Sequence, residues 1–119
     1  LKANIFIIAI FITILIAYLS LMKVPNIPIK ISFLDKIEHC IAYFTLSLSW
    51  FLYFYKKPKT KYKIAIACIF FGILLEGLQG TMTDYRTADY LDMIANSVGV
   101  VLGLITFNQI LKKNNVYLQ

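Results

Sequence analysis

An all-α fold is expected, a bundle of four membrane-spanning helices with both ends of the chain on the cytoplasmic side, and three observations lead to it. The first is composition. Of the 119 residues 60% are hydrophobic and only 15% charged, with a mean hydropathy of +0.74, a departure from the soluble average towards membrane proteins. The second is the division of the chain into four apolar runs, at about 4–22, 37–55, 62–79 and 88–111, each near the ~20 residues that cross a hydrocarbon core. The third is the placement of charge. Lys2, Lys56, Lys57, Lys59, Lys61, Lys63, Lys112 and Lys113 all border one side of the runs, which the positive-inside rule makes cytoplasmic. All six acids lie on the other side with Lys23, Lys30, Lys36 and Arg86, so four cations against six acids leave it at −2, against +8 opposite. The overall charge of +6 therefore reports orientation, and nucleic-acid binding is not expected.

The first run, Asn4 to Met22, is longer than the 7–15 residues of a signal-peptide core, and no clear small-x-small cleavage site follows it. It reads as a transmembrane helix. The chain opens on Leu1 with no initiator methionine, so residues upstream of it are expected. Pro25 and Pro28 make Lys23–Leu34 an outer loop, because proline lacks a donor and biases its predecessor towards extended geometry. The second run carries Trp50, Tyr53 and Tyr55 towards its inner end, where amphipathic aromatics favour the headgroup layer. The lysine loop KKPKTKYK follows. The third run returns outward and is expected to end at Gly80, and the fourth comes back to the cytoplasm. No internal repeat interrupts the pattern, so residues 1–119 read as a single domain. Cys40 and Cys68 fall at different depths, and both read as small packing residues rather than a disulfide.

The polar residues of the last three runs are aligned. At ~100° per residue, Asp35, His39, Tyr43, Leu46 and Trp50 share an arc of roughly 80° on the second helix. The same spacing places Ala65, Cys68, Gly72, Glu76 and Gln79 on one face of the third helix. Asp89, Asp92, Asn96, Gly99 and Gly103 occupy one face of the fourth. Glu76 lies about 21 Å above the inner end of its helix at 1.5 Å per residue, or about 9 Å below the outer boundary of a ~30 Å core. Asn96 lies at a similar depth and His39 about one turn in, so the three stripes are expected to meet in a polar pocket beneath the outer headgroups. The first helix carries nothing comparable and is left to face lipid or brace the others.

Each constellation has a structural and a chemical reading. Asp35 and His39 fit a helix-start carboxylate with a histidine bonded one turn on, and equally an oriented general acid or base, since histidine ordinarily titrates near neutral pH. Glu76 and Gln79 fit a packing lock, with Glu76 paired to Arg86 and Gln79 on backbone, or proton chemistry at a bound headgroup. Arg86 suits a phosphate, through the fork of its guanidinium, or a pairing with Asp84 or Asp89. Thr87 reads as an N-cap with Asp89 near the positive dipole end. His39, Glu76 and Asp92 offer donors that suit zinc or manganese, but no HExxH pattern supports them and no metal or other cofactor is assigned. Gly99 and Gly103 form a GxxxG pair that permits close helix approach, inside the bundle or in a homodimer.

Taken together, Asp35-Lys36-x-x-His39 with Tyr43, Glu76-x-x-Gln79, and Arg86-x-x-Asp89-x-x-Asp92-x-x-x-Asn96-x-x-Gly99 resemble the VanZ-like family of small bacterial membrane proteins over roughly residues 10–110. Cys40 after the histidine, where an aromatic is usual, and the segment Thr81–Tyr85 depart from the family pattern. The resemblance implies a role at the outer surface of the bacterial cytoplasmic membrane, and the founding member's link to teicoplanin resistance implies one in glycopeptide resistance. The leading expectation is a pocket that binds an anionic lipid or lipid-linked cell-wall precursor. His39, Glu76 and Asp92 would supply proton chemistry, with Asp35, Lys36, Tyr43, Gln79, Arg86, Asp89 and Asn96 on the binding side. Lacking a GxSxG, a P-loop or a strong nucleophile, the sequence leaves open whether a reaction is catalysed. The alternative is a non-enzymatic scaffold whose polar cluster locks helix packing. A proton or ion path comes third, because the inner halves of the helices carry few polar residues.

Overall fold

The computed structural model describes residues 2–21, 32–82 and 90–114, and among them it is entirely helical. Helix α1 spans Lys2–Leu21, α2 Ser32–Tyr53, α3 Lys61–Met82 and α4 Tyr90–Asn114. A single 3₁₀ turn over Pro58–Thr60 joins α2 to α3. Pro58 starts that turn where its missing N–H is not needed, and Thr60 closes it by donating from Oγ1 to the Lys57 carbonyl at 2.6 Å. Two boundaries differ from the sequence reading. Helix α2 begins at Ser32 rather than near Ile37, since Pro28 restricts itself and its predecessor but nothing four residues later. Helix α3 runs through Gly80 to Met82, because one glycine costs only about 1 kcal/mol in a helix interior. The expected outer loop before Ser32 falls outside the described residues for positions 22–31, as does the reading of Thr87 as an N-cap.

Side-chain contacts fix the helix directions. Phe6 near the start of α1 packs on Tyr53 at the end of α2, with ring centroids 5.1 Å apart, and Trp50 Nε1 donates to Thr13 Oγ1 at 3.0 Å. These two helices are antiparallel. Lys61 at the start of α3 donates to Asn108 Oδ1 near the end of α4 at 2.7 Å, so α3 opposes α4. Helices α2 and α4 run parallel: Lys36 meets Asp92 at one end, and Phe51 stacks on Phe107, 5.3 Å between centroids, towards the other. The result is an up-down-up-down order. It gathers the loop lysines 56–63 with Lys112 and Lys113 at one end and the polar stripes of α2, α3 and α4 at the other.

The α2–α4 contact is the most extensive in the bundle, and two glycines permit it. A Cβ on Gly99 would overlap the carbonyl oxygen of Cys40, and one on Gly103 would overlap the Ser47 hydroxyl. The GxxxG pair of α4 is thus used within one chain, against α2. Below it, Val100, Phe107 and Leu111 continue the buried face of α4 and pack with Phe51, Leu46 and Tyr43 of α2. The outward faces are apolar as well. Ile7, Phe11, Ile14 and Tyr18 on α1, Ile66, Phe70 and Ile73 on α3, and Ile94, Val98, Val101 and Ile105 on α4 are all exposed. Helices apolar on every side suit a protein interior or a bilayer, and Ala3–Leu21 and Tyr90–Lys113 are each long and apolar enough to cross a membrane.

The packing predicts opposite signs at two glycines. Gly99→Ala forces α2 and α4 apart and costs about 1–3 kcal/mol. A Cβ at Gly77, within α3, meets nothing within 4 Å, so Gly77→Ala gains about 0.5–1 kcal/mol from helix propensity. Denaturant unfolding of the two variants in detergent micelles measures both changes.

Candidate functional site

The polar site lies within two turns of Gly99. Parallel helices in backbone contact there keep the same register one and two turns earlier, so Asn96 and Asp92 face His39 and Lys36. The His39 Nδ1 lies 3.1 Å from Asn96 Oδ1, and Nε2 lies 3.5 Å from Asp92 Oδ2. The other oxygen of Asp92, Oδ1, accepts from Lys36 Nζ in a close ion pair. One carboxylate therefore holds an ammonium and an imidazole, and one imidazole bridges a carboxylate and an amide. A neutral imidazole donates from only one nitrogen, so the roles at these two contacts follow its tautomer.

Helix α3 closes the site from the third side. Gly72 leaves room there: a Cβ would lie 3.1 Å from Asn96 Nδ2 and 3.1 Å from Tyr43 Cε2. One turn on, Glu76 is buried at 2% exposure. Tyr43 and Phe71 lie beside each other, 6.4 Å between ring centroids. Asn96 is buried at 2%, and the Lys36 and Asp92 side chains keep 22% and 11% of their exposure. The ion pair is thus largely removed from solvent. In such surroundings the attraction between two charges is strong, and so is the desolvation that opposes it.

Of the residues singled out from the sequence, Lys36, His39, Tyr43, Glu76, Asp92 and Asn96 occupy this end of the bundle. The side chains of Asp35 and Gln79, and the whole of Arg86 and Asp89, lie outside the described residues. Two contacts here are absent from the sequence reading. Lys36, expected to hold phosphate, pairs with Asp92. Asp92, grouped with His39 and Glu76 in the sequence reading, contacts His39 and is also ion-paired with Lys36. Among the described residues no three His, Cys, Asp or Glu side chains come together so as to hold a metal ion. Ser47, not singled out from the sequence, meets Gly103 at the foot of the site and donates to the Phe44 carbonyl at 3.2 Å. Its serine-glycine opposition across two helices is invisible until the helices are paired.

Comparison with known proteins supports the family resemblance. Residues 5–112 match the family model described as VanZ/LLP1. An uncharacterised protein of the fission yeast Schizosaccharomyces pombe is 34% identical over 101 residues, which make up 83% of this chain and 60% of that protein. The chain thus spans about 60% of that relative's length. No solved structure matches significantly. Since the family model runs through all the helices that build the site, the chain belongs to the VanZ-like family.

Proposed function

We propose that all four helices cross a membrane and that the network of Lys36, His39, Asp92 and Asn96, with Glu76 behind it, is an acid-base site for an anionic lipid headgroup in the leaflet opposite the lysines. The observation that carries this reading is the double hold of Asp92 on Lys36 and His39. A carboxylate at membrane depth costs about 2.5–3.5 kcal/mol on insertion scales, and spending that on a paired histidine suits proton transfer. The apolar outer faces of α1, α3 and α4 support embedding in lipid, because soluble monomers rarely expose contiguous apolar patches beyond a few hundred Å².

The headgroup chemistry is that of a lipid phosphate. Lys36 and Arg86 supply positive charge to it, and His39 with Asp92 and Glu76 accept or return a proton. A relative in fission yeast favours a ligand common to bacterial and eukaryotic membranes over a bacterial wall precursor. In a bacterial setting, resistance to a glycopeptide would follow from a change to the outer envelope's headgroups. The competing reading is a packing lock, and one observation favours it. Among the described residues no buried side-chain nitrogen or oxygen lacks a partner, which a lock requires.

Two experiments test these readings. For topology, with Cys40 and Cys68 replaced by serine, Tyr90→Cys is expected to react with a membrane-impermeant thiol reagent on intact cells and Lys59→Cys only after lysis; the reverse pattern inverts the orientation. For the site, His39→Gln is expected to keep unfolding within about 1 kcal/mol of the parent. In native mass spectrometry it is expected to lower retention of phosphatidylglycerol, while phosphatidylcholine retention stays unchanged. Asp92→Ala removes the carboxylate shared by Lys36 and His39 and costs about 3–5 kcal/mol of stability. Lipid retention that follows stability alone across these variants would establish the lock and remove the site.

A further inference from the structure

A second feature lies in the half of the bundle towards the lysine loop, on the side where α1, α2 and α3 meet. Thr13, Leu46, Trp50, Ile64, Ala67 and Phe71 line a cavity of about 280 Å³. For scale, an engineered cavity of about 150 Å³ in another protein admits benzene. Its walls give water little to hold. The Trp50 N–H is already committed to Thr13 Oγ1, and the Thr13 hydroxyl donates to the Ala9 carbonyl at 2.8 Å. The cavity is open along one side, and its mostly apolar walls suit an apolar guest. Ala67 and its neighbour Ile66 are exposed, so the cavity lies at the lipid-facing side of α3. Its length along α3 from Ile64 to Phe71 is about 10 Å at the helical rise.

The lysine loop stands at its inner end. Lys56, Lys57, Lys59 and Lys63 are all exposed, and Lys63 immediately precedes Ile64. Clustered lysines beside a membrane helix attract anionic headgroups by about 1 kcal/mol each near the surface. We infer that the lysine-side leaflet supplies an anionic lipid that binds here, with its headgroup on the lysine loop and one hydrocarbon chain in the cavity between α1 and α3. This site is separate from the Asp92 network and rests only on the membrane embedding of the proposed function. The occupant is chosen by charge and polarity together. A basic rim excludes cationic amphiphiles, and apolar walls exclude a polar ligand.

Trp50 is the single tryptophan of the chain, so its fluorescence reports on the cavity. The full chain is placed in phosphatidylcholine nanodiscs doped with a minor fraction of phosphatidylglycerol brominated on its chains, or with the same fraction of brominated phosphatidylcholine. The anionic lipid is expected to quench Trp50 more strongly. Ala67→Phe, and the milder Ala67→Leu, fill the cavity and abolish that excess, with circular dichroism checking that each variant keeps its helices. Combining Lys57→Gln with Lys63→Gln lowers the preference for the anionic lipid about thirtyfold. Equal quenching by the two lipids, or an excess that survives both Ala67 variants, overturns the inference. Discs made wholly of brominated phosphatidylcholine separate the two readings. Without quenching there the membrane embedding itself fails, whereas quenching there with no anionic excess sinks only the bound lipid.

Discussion

Backbone contact between α2 and α4 sets the position of the polar side chains that these two helices bring together. Gly99 and Gly103 have no side chains to hold the helices apart, and a methyl at either would strike Cys40 or Ser47. Because the helices are parallel, residues at equal distances from the contact meet at equal heights. Asn96 therefore reaches His39, and one turn earlier Asp92 reaches both His39 and Lys36. Gly72 performs the same service on α3, letting that helix approach Asn96 and Tyr43 closely. Small residues in the middle of the helices thus position large polar ones at their ends.

This arrangement explains how an apolar chain carries a carboxylate, an ammonium, an imidazole and an amide together. The contacts of Asp92 with Lys36 and His39, and of Asn96 with His39, all cross from α4 to α2, so they form only when these helices pack. Their electrostatics couple to folding for the same reason. Loss of Asp92 leaves a cation in low dielectric, and loss of helix contact leaves several polar groups dry at once. At the other end the logic is reversed. There Trp50, Thr13, Phe6 and Tyr53 make an aromatic clasp between α1 and α2, and the lysines remain at the surface. The molecule is polar inside at one end and basic outside at the other, an asymmetry suited to a fixed orientation in a bilayer.

Much of this was legible before any coordinates. Helical spacing placed His39, Tyr43, Glu76, Asp92, Asn96, Gly99 and Gly103 on the inward faces, because burial in a helix bundle follows a period of 3.6 residues and the polar residues follow the same period. The identity of the partners was not legible. Lys36 sits roughly 20° outside the arc shared by Asp35, His39 and Tyr43, and it joins the site only because a long flexible stem can carry its ammonium inward. A GxxxG pair announces a close approach without naming the helix that approaches. The pairing of α4 with α2, across 57 residues for His39 and Asn96, is a property of topology, and no local pattern encodes it. Nor did composition reveal the cavity at Trp50, which exists where α1, α2 and α3 meet.

The α2–α4 contact is expected to couple His39 to Asn96, and a double-mutant cycle measures that coupling. His39→Ala, Asn96→Ala and the double variant are unfolded in the same detergent, with and without Gly99→Ala. Residues in one hydrogen-bonded network couple by about 0.5–3 kcal/mol, whereas independent sites add within about 0.3–0.5 kcal/mol. Coupling in the parent that disappears in the Gly99→Ala background is the predicted result. Simple additivity in the parent would contradict it, and so would a coupling indifferent to Gly99.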